Sequence, residues 1–177
     1  MRNLRITLLL CVLFVPRLSA QSRDAWWVDA TFKAAETSIE LIPVRDLDRS
    51  WVAASPLRES DLSPEAALPG ESLKDHQAAF ELEGDFNGDG KGDKALVGVY
   101  RTAAGEEGAF LLLLKEDTRR RWVKNRLFKA AGADFTALVA KGNDLTWVFC
   151  FECDGYCSVE RRWWRGWRVD CGEEPDA

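Results

Sequence analysis

Apolar residues recur at near-helical spacing from Ala25 to Leu41, with Trp26, Trp27 and Val28 followed by Ala30, Phe32, Ala35 and Ile39. Asp24 stands where a helix N-cap belongs, and Pro43 ends the run. The pattern predicts one amphipathic helix over Ala25–Leu41, with its Trp-rich face on the core. Residues 44–75 carry Pro56, Pro64, Pro69 and Gly70 among Asp, Ser and Arg. They read as an irregular arm of short pieces, docked through Trp51-Val52.

From Ala78 the period shortens to two. Strands are predicted at Phe80–Leu82, Ala95–Tyr100, Ala109–Lys115, Trp122–Phe128, Thr136–Ala140 and Thr146–Phe151, with a final hairpin from Val159 to Val169. Short strands at this spacing imply an antiparallel meander with one face on the core. The predicted fold class is therefore α+β: an N-terminal amphipathic helix packed on an antiparallel sheet. The expected organisation is a leader over 1–20, a helix and arm over 21–75, and a β domain over 76–177.

The leader changes the picture of where the protein works. Arg2 and Arg5 precede an apolar stretch from Ile6 to Val15, and Leu18-Ser19-Ala20 suits cleavage before Gln21. This predicts a periplasmic or secreted protein, with no membrane span once the leader is removed. The mature chain would be 177 − 20 = 157 residues, and losing Arg2, Arg5 and Arg17 takes the net charge from −5 to −8. Such an acidic chain is a poor general binder of nucleic acid, whose phosphates need a positive face.

The densest chemistry lies between the first two long strands. Asp85, Asn87 and Asp89 place oxygens at alternate positions, Asp93 adds another, and Gly88, Gly90 and Gly92 fill the gaps. Hard cations such as Ca²⁺ take six to eight oxygens, and a tightly curled loop supplies them. An EF-hand needs a bidentate Glu at the twelfth position, where this chain has Leu96.

The stretch Gly84-Asp85-Phe86-Asn87-Gly88-Asp89-Gly90-Lys91-Gly92-Asp93, followed by Ala95-Leu96-Val97-Gly98-Val99, resembles the FG-GAP or VCBS-type repeat of integrin-like propeller blades. The resemblance covers about 17 residues and implies a Ca²⁺ ion held by Asp85, Asn87, Asp89 and Asp93, with Lys91 contributing its carbonyl. Lys94 departs from the family, which often has an apolar residue there. One repeat cannot close a propeller, so the resemblance implies a local calcium hairpin only.

After the leader, four cysteines remain: Cys150, Cys153, Cys157 and Cys171. In an exported chain they predict two disulfides, with Cys153–Cys157 and Cys150–Cys171 as the expected pairs. Four thiolates on zinc are the alternative. The last hairpin interleaves Arg161, Trp163, Trp164, Arg165 and Trp167. These make either a surface for a protein or glycan partner or a simple alternation of inward Trp and outward Arg.

Little in the chain points to catalysis. His76 is the sole histidine, and Glu81 and Glu83 are a carboxylate pair beside the acidic loop. The expected function is a non-catalytic binding or structural module with structural Ca²⁺. The alternative is a small secreted hydrolase, or a carbohydrate-processing accessory, using acidic residues at the sheet rim.

Overall fold

A computed structural model describes residues 26–68, 70–132, 135–141, 144–151, 156–162 and 166–171; the last two segments, and Val28 and Asp29, are described by backbone alone. Within them the chain is built from antiparallel strands. A single helical turn, α1 (Trp26–Asp29), leads to a small hairpin of β1 (Ser38–Ile39) and β2 (Ile42–Pro43), then a second turn, α2 (Val44–Leu47), and β3 (Trp51–Pro56). Two 3-10 turns (Glu59–Asp61 and Pro64–Ala67) precede β4 (Ala78–Ala79) and β5 (Glu81–Gly84). Three ten-residue strands follow, β6 (Asp93–Thr102), β7 (Glu107–Glu116) and β8 (Trp122–Ala131). The chain continues through β9 (Ala137–Lys141), β10 (Asp144–Val148), β11 (Tyr156–Arg162) and β12 (Gly166–Cys171).

The helix expected over Ala25–Leu41 is not there, and the α+β class falls with it. Among the described residues only Trp26–Asp29 is helical in that stretch, and no amphipathic helix packs on a sheet. The cause is a competing period. From Ala30 to Thr37 burial alternates strictly, with Ala30, Phe32, Ala34 and Glu36 half-buried and their neighbours exposed. That is the pattern of an extended chain. The segment lies along β3, where Glu36 bridges Ala54 and the Ser55 hydroxyl accepts the Ala35 amide at 2.9 Å.

The main sheet runs β3-β6-β7-β8, with β5 also paired to β6. The second sheet runs β12-β11-β10-β9-β4. Contrary to the expected one-faced meander, the main sheet is covered on both sides. Odd-numbered residues of β6 and β7 (Ala95, Val97, Leu111, Leu113) face a core shared with Leu138, Leu145 and Trp147 of the second sheet and with Trp26 and Trp27. Even-numbered residues (Leu96, Phe110, Leu112, Leu114) face a second core closed by Ile39, Val44, Leu47 and Trp51. Burial on both faces is why Ala109–Leu114 is apolar without alternation; all six are at most 1% exposed. Each fully buried leucine there contributes about 1.5–3 kcal/mol.

Two lysines of β8 fasten α2 over this second core. Lys124 Nζ donates to the Leu47 carbonyl at 2.7 Å, where cations suit a helix C-terminus, and Lys129 Nζ lies 2.7 Å from Asp48 Oδ2. Desolvation pushes the Asp48 carboxyl up, but hydrogen bonds from Lys129 and Ser50 outweigh it and bring its pKa from 3.8 to about 2. A lowered carboxylate pKa stabilises the fold above pH 3.8, and that contribution fades as the pH falls through about 2. Lys129→Met should therefore cost about 0.5–1 kcal/mol at neutral pH, since solvent screens this half-exposed pair. In urea titrations its gap to the parent protein should narrow as the pH is lowered toward 2; a gap that does not change with pH would mean the pair contributes nothing.

Candidate metal centre

The acidic loop joins β5 to β6 across a hairpin whose register sets Gly84 opposite Asp93. Gly88 and Gly90 take φ of +70° and +78°, the left-handed region where glycine has no steric cost, and these two residues curl the loop. Phe86 is buried at its base against the Gly84 backbone, so the loop is rooted in the first core.

The oxygens turn inward. Asp85 accepts the Asp89 amide through Oδ1 (3.0 Å) and the Gly90 amide through Oδ2 (2.8 Å). Asn87 Oδ1 also accepts the Asp89 amide (2.8 Å), and Asp89 Oδ1 accepts that of Lys91 (2.9 Å). Asn87 Nδ2 donates to Asp93 Oδ1 at 3.1 Å. Asp93 Oδ2 is different: it is buried, on a residue only 2% exposed, and has no hydrogen-bond partner among the described residues. Desolvation, with repulsion from Asp89, raises the Asp93 carboxyl above the ordinary carboxylate range.

Asp85, Asn87, Asp89 and Lys91 lie in the loop, and Asp93 is the first residue of β6. Among the described residues, however, no three His, Cys, Asp or Glu side chains converge as a metal-holding group. The donor set is all oxygen, which suits a hard cation. The unpartnered oxygen of Asp93 is the observation that tests the fit. A buried acceptor left alone carries its full desolvation penalty, and a cation would remove it.

Lys94 does not disturb the exit strand; it turns to the opposite face. There its Nζ meets Glu81 (2.8 Å), Glu40 (3.1 Å) and Glu83 (3.4 Å) and sits 5.3 Å from the centre of the Trp122 ring. Burial works against its charge, but Glu81 and Glu40 outweigh that and hold the ammonium above the ordinary lysine range. Glu81 and Glu83 are counter-ions to this lysine, across the sheet from Asp93. Sequence inspection missed Glu40, which is 54 residues away and sits in a turn where both Glu40 and Leu41 have positive φ.

His76 packs in an aromatic cluster, stacked on Phe151 with centroids 4.1 Å apart and edge-on to Trp27 at 5.3 Å. Cys150 is disulfide-bonded. Cys153 and the side chains of Cys157 and Cys171 lie outside the described residues, although the backbone register sets Cys157 opposite Cys171. The candidate partner surface also lies outside them: Trp163, Trp164 and Arg165 entirely, Arg161 and Trp167 by side chain. So do the leader residues 1–20. Among the described residues no helix is long and apolar enough to cross a membrane.

No family model, curated protein or solved structure matches this chain.

Proposed function

We propose that the chain is an exported module in which one Ca²⁺ ion, held by the loop from Asp85 to Asp93, has a structural rather than a catalytic role. The buried, partnerless Oδ2 of Asp93 carries this reading. A loop closed only by its own amides would satisfy that oxygen or expose it. Asp85, Asn87 and Asp89 would complete the ligand set with the Lys91 carbonyl. Bound there, the ion would neutralise three carboxylates and tie β5 to β6. The sheet-rim hydrolase loses its main pair, because Glu81 and Glu83 are engaged by Lys94.

Extracellular calcium modules typically bind with Kd of about 10⁻⁴–10⁻³ M, which suits constant occupancy outside a cell. Isothermal calorimetry on chelator-treated protein should find one site in that range. Absence of heat at millimolar Ca²⁺ would remove the reading. Work in the oxidising compartment also implies that all four C-terminal cysteines are bonded. Denatured protein recovered from that compartment should show no free thiol, and four reactive thiols with bound zinc would reverse the assignment.

A further inference from the structure

The ten residues of β8 form the outer edge of the main sheet, and among the described residues no strand pairs with their far side. Native proteins usually shorten or guard such an edge, because its free amides and carbonyls template another strand. Here the edge is as long as β6 and β7. The two lysines that would guard it are drawn away, Lys124 to the α2 carbonyls and Lys129 to Asp48. A register shift between Leu113 and Leu114 interrupts the strand near Asn125, leaving Arg126–Ala131 as a regular six-residue edge. Both cores end half-open along it, with Leu127 packed on one and Phe128 on the other.

We propose that this edge receives an extended segment of a partner protein, added as a further strand and carrying an acidic residue followed by two apolar ones. The register fixes the order. Arg126 and Phe128 pair with Leu113 and Leu111, so they share one face, whereas Leu127 and Lys129 pair with Leu112 and Phe110 on the other. A chain laid beside them meets the free cation Arg126 and then two apolar side chains in succession. Arg126 is exposed and has no ion-pair partner among the described residues, as is true of Arg119 and Arg120 in the preceding turn. Main-chain hydrogen bonds would supply affinity, and the alternate side chains specificity. A second copy of this chain is the wrong occupant, since β8 against β8 would bring the unpaired Arg126 of both copies to one seam.

The test uses the full chain and two capped peptides, Thr-Glu-Val-Val-Thr-Thr and Thr-Lys-Val-Val-Thr-Thr. The acidic peptide should bind roughly tenfold or more tightly than the basic one, and the difference should shrink in high salt. Amide exchange should slow in β8, at the positions not bonded to β7, and remain unchanged in β12. Arg126→Glu, an exposed substitution checked for folding by circular dichroism, should erase the preference. Equal binding of both peptides, exchange changes away from β8, or a β8-paired dimer without peptide would each overturn the proposal. The exchange experiment needs no variant, so it stands even if Arg126→Glu folds poorly.

Discussion

About 10 mM Ca²⁺ added to chelator-stripped protein is expected to raise its stability by about 1.4–2.7 kcal/mol, the linkage value for ligand at about 10 to 100 times Kd. For a chain of this size that is a rise in Tm of about 3–10 °C. Asp89→Ala should abolish the rise, because it removes one carboxylate of the proposed ligand set. Asp93→Asn is the sharper variant. It keeps the shape of the side chain and removes the buried charge, whose carboxyl is already pushed up by desolvation. Its metal-free stability should stay within about 1 kcal/mol of the parent, while the calcium response disappears. Melting curves with and without Ca²⁺ measure both quantities. A response that survives in both variants would place the ion elsewhere, and no response in the parent would leave the loop as a self-bonded turn.

Gly98→Ala is expected to cost about 3 kcal/mol or more, an overpacking effect at the upper end of the usual range. A Cβ at this position would stand 2.3 Å from the Ser55 carbonyl oxygen and 2.5 Å from the Phe110 ring. Neither can retreat. Ser55 is backbone of β3, paired with β6 next to Gly98, and Phe110 is fully buried directly across the ladder. The ring of Phe110 occupies the space the glycine leaves. Gly92→Ala is the control, since nothing lies within 4 Å of its Cβ position. It should change metal-free stability by less than about 0.5 kcal/mol. Chemical denaturation of the two variants decides the matter; similar costs would mean that β3 and β6 shift apart more easily than their register suggests.

The strands from Ala95 onward were legible because most are compact apolar runs between turn residues, and the acidic loop because its side chains repeat at a fixed spacing. The N-terminal stretch was misread for a specific reason. Trp26-Trp27 and Ile39 fit a helical wheel, yet Phe32 and Ala34 also fit a two-residue period, and only the bridge from Glu36 to Ala54 decides between them. That contact comes from packing on β3 and has no local signature. The same holds for Lys94. On the chain it stands only as a lysine where the resembled family often has an apolar residue, whereas the carboxylates that accept it come from three separate positions, Glu40, Glu81 and Glu83. The second core was hidden likewise, since a run such as Phe110–Leu114 does not say how many layers cover it.

Covering the sheet on both sides also sets an order of assembly. Ile39, Val44, Leu47 and Trp51 leave the ribosome before the strands they shelter, and β3 must wait for β6 before a long strand pairs with it. The early third of the molecule therefore has nothing to fold upon while it is being made. Productive collapse has to begin with the local β6–β7–β8 meander, onto which the earlier segments fold back over a long loop. A chain interrupted before Glu116 would hold apolar pieces without their scaffold, the kind of species that chaperones keep from sticking together.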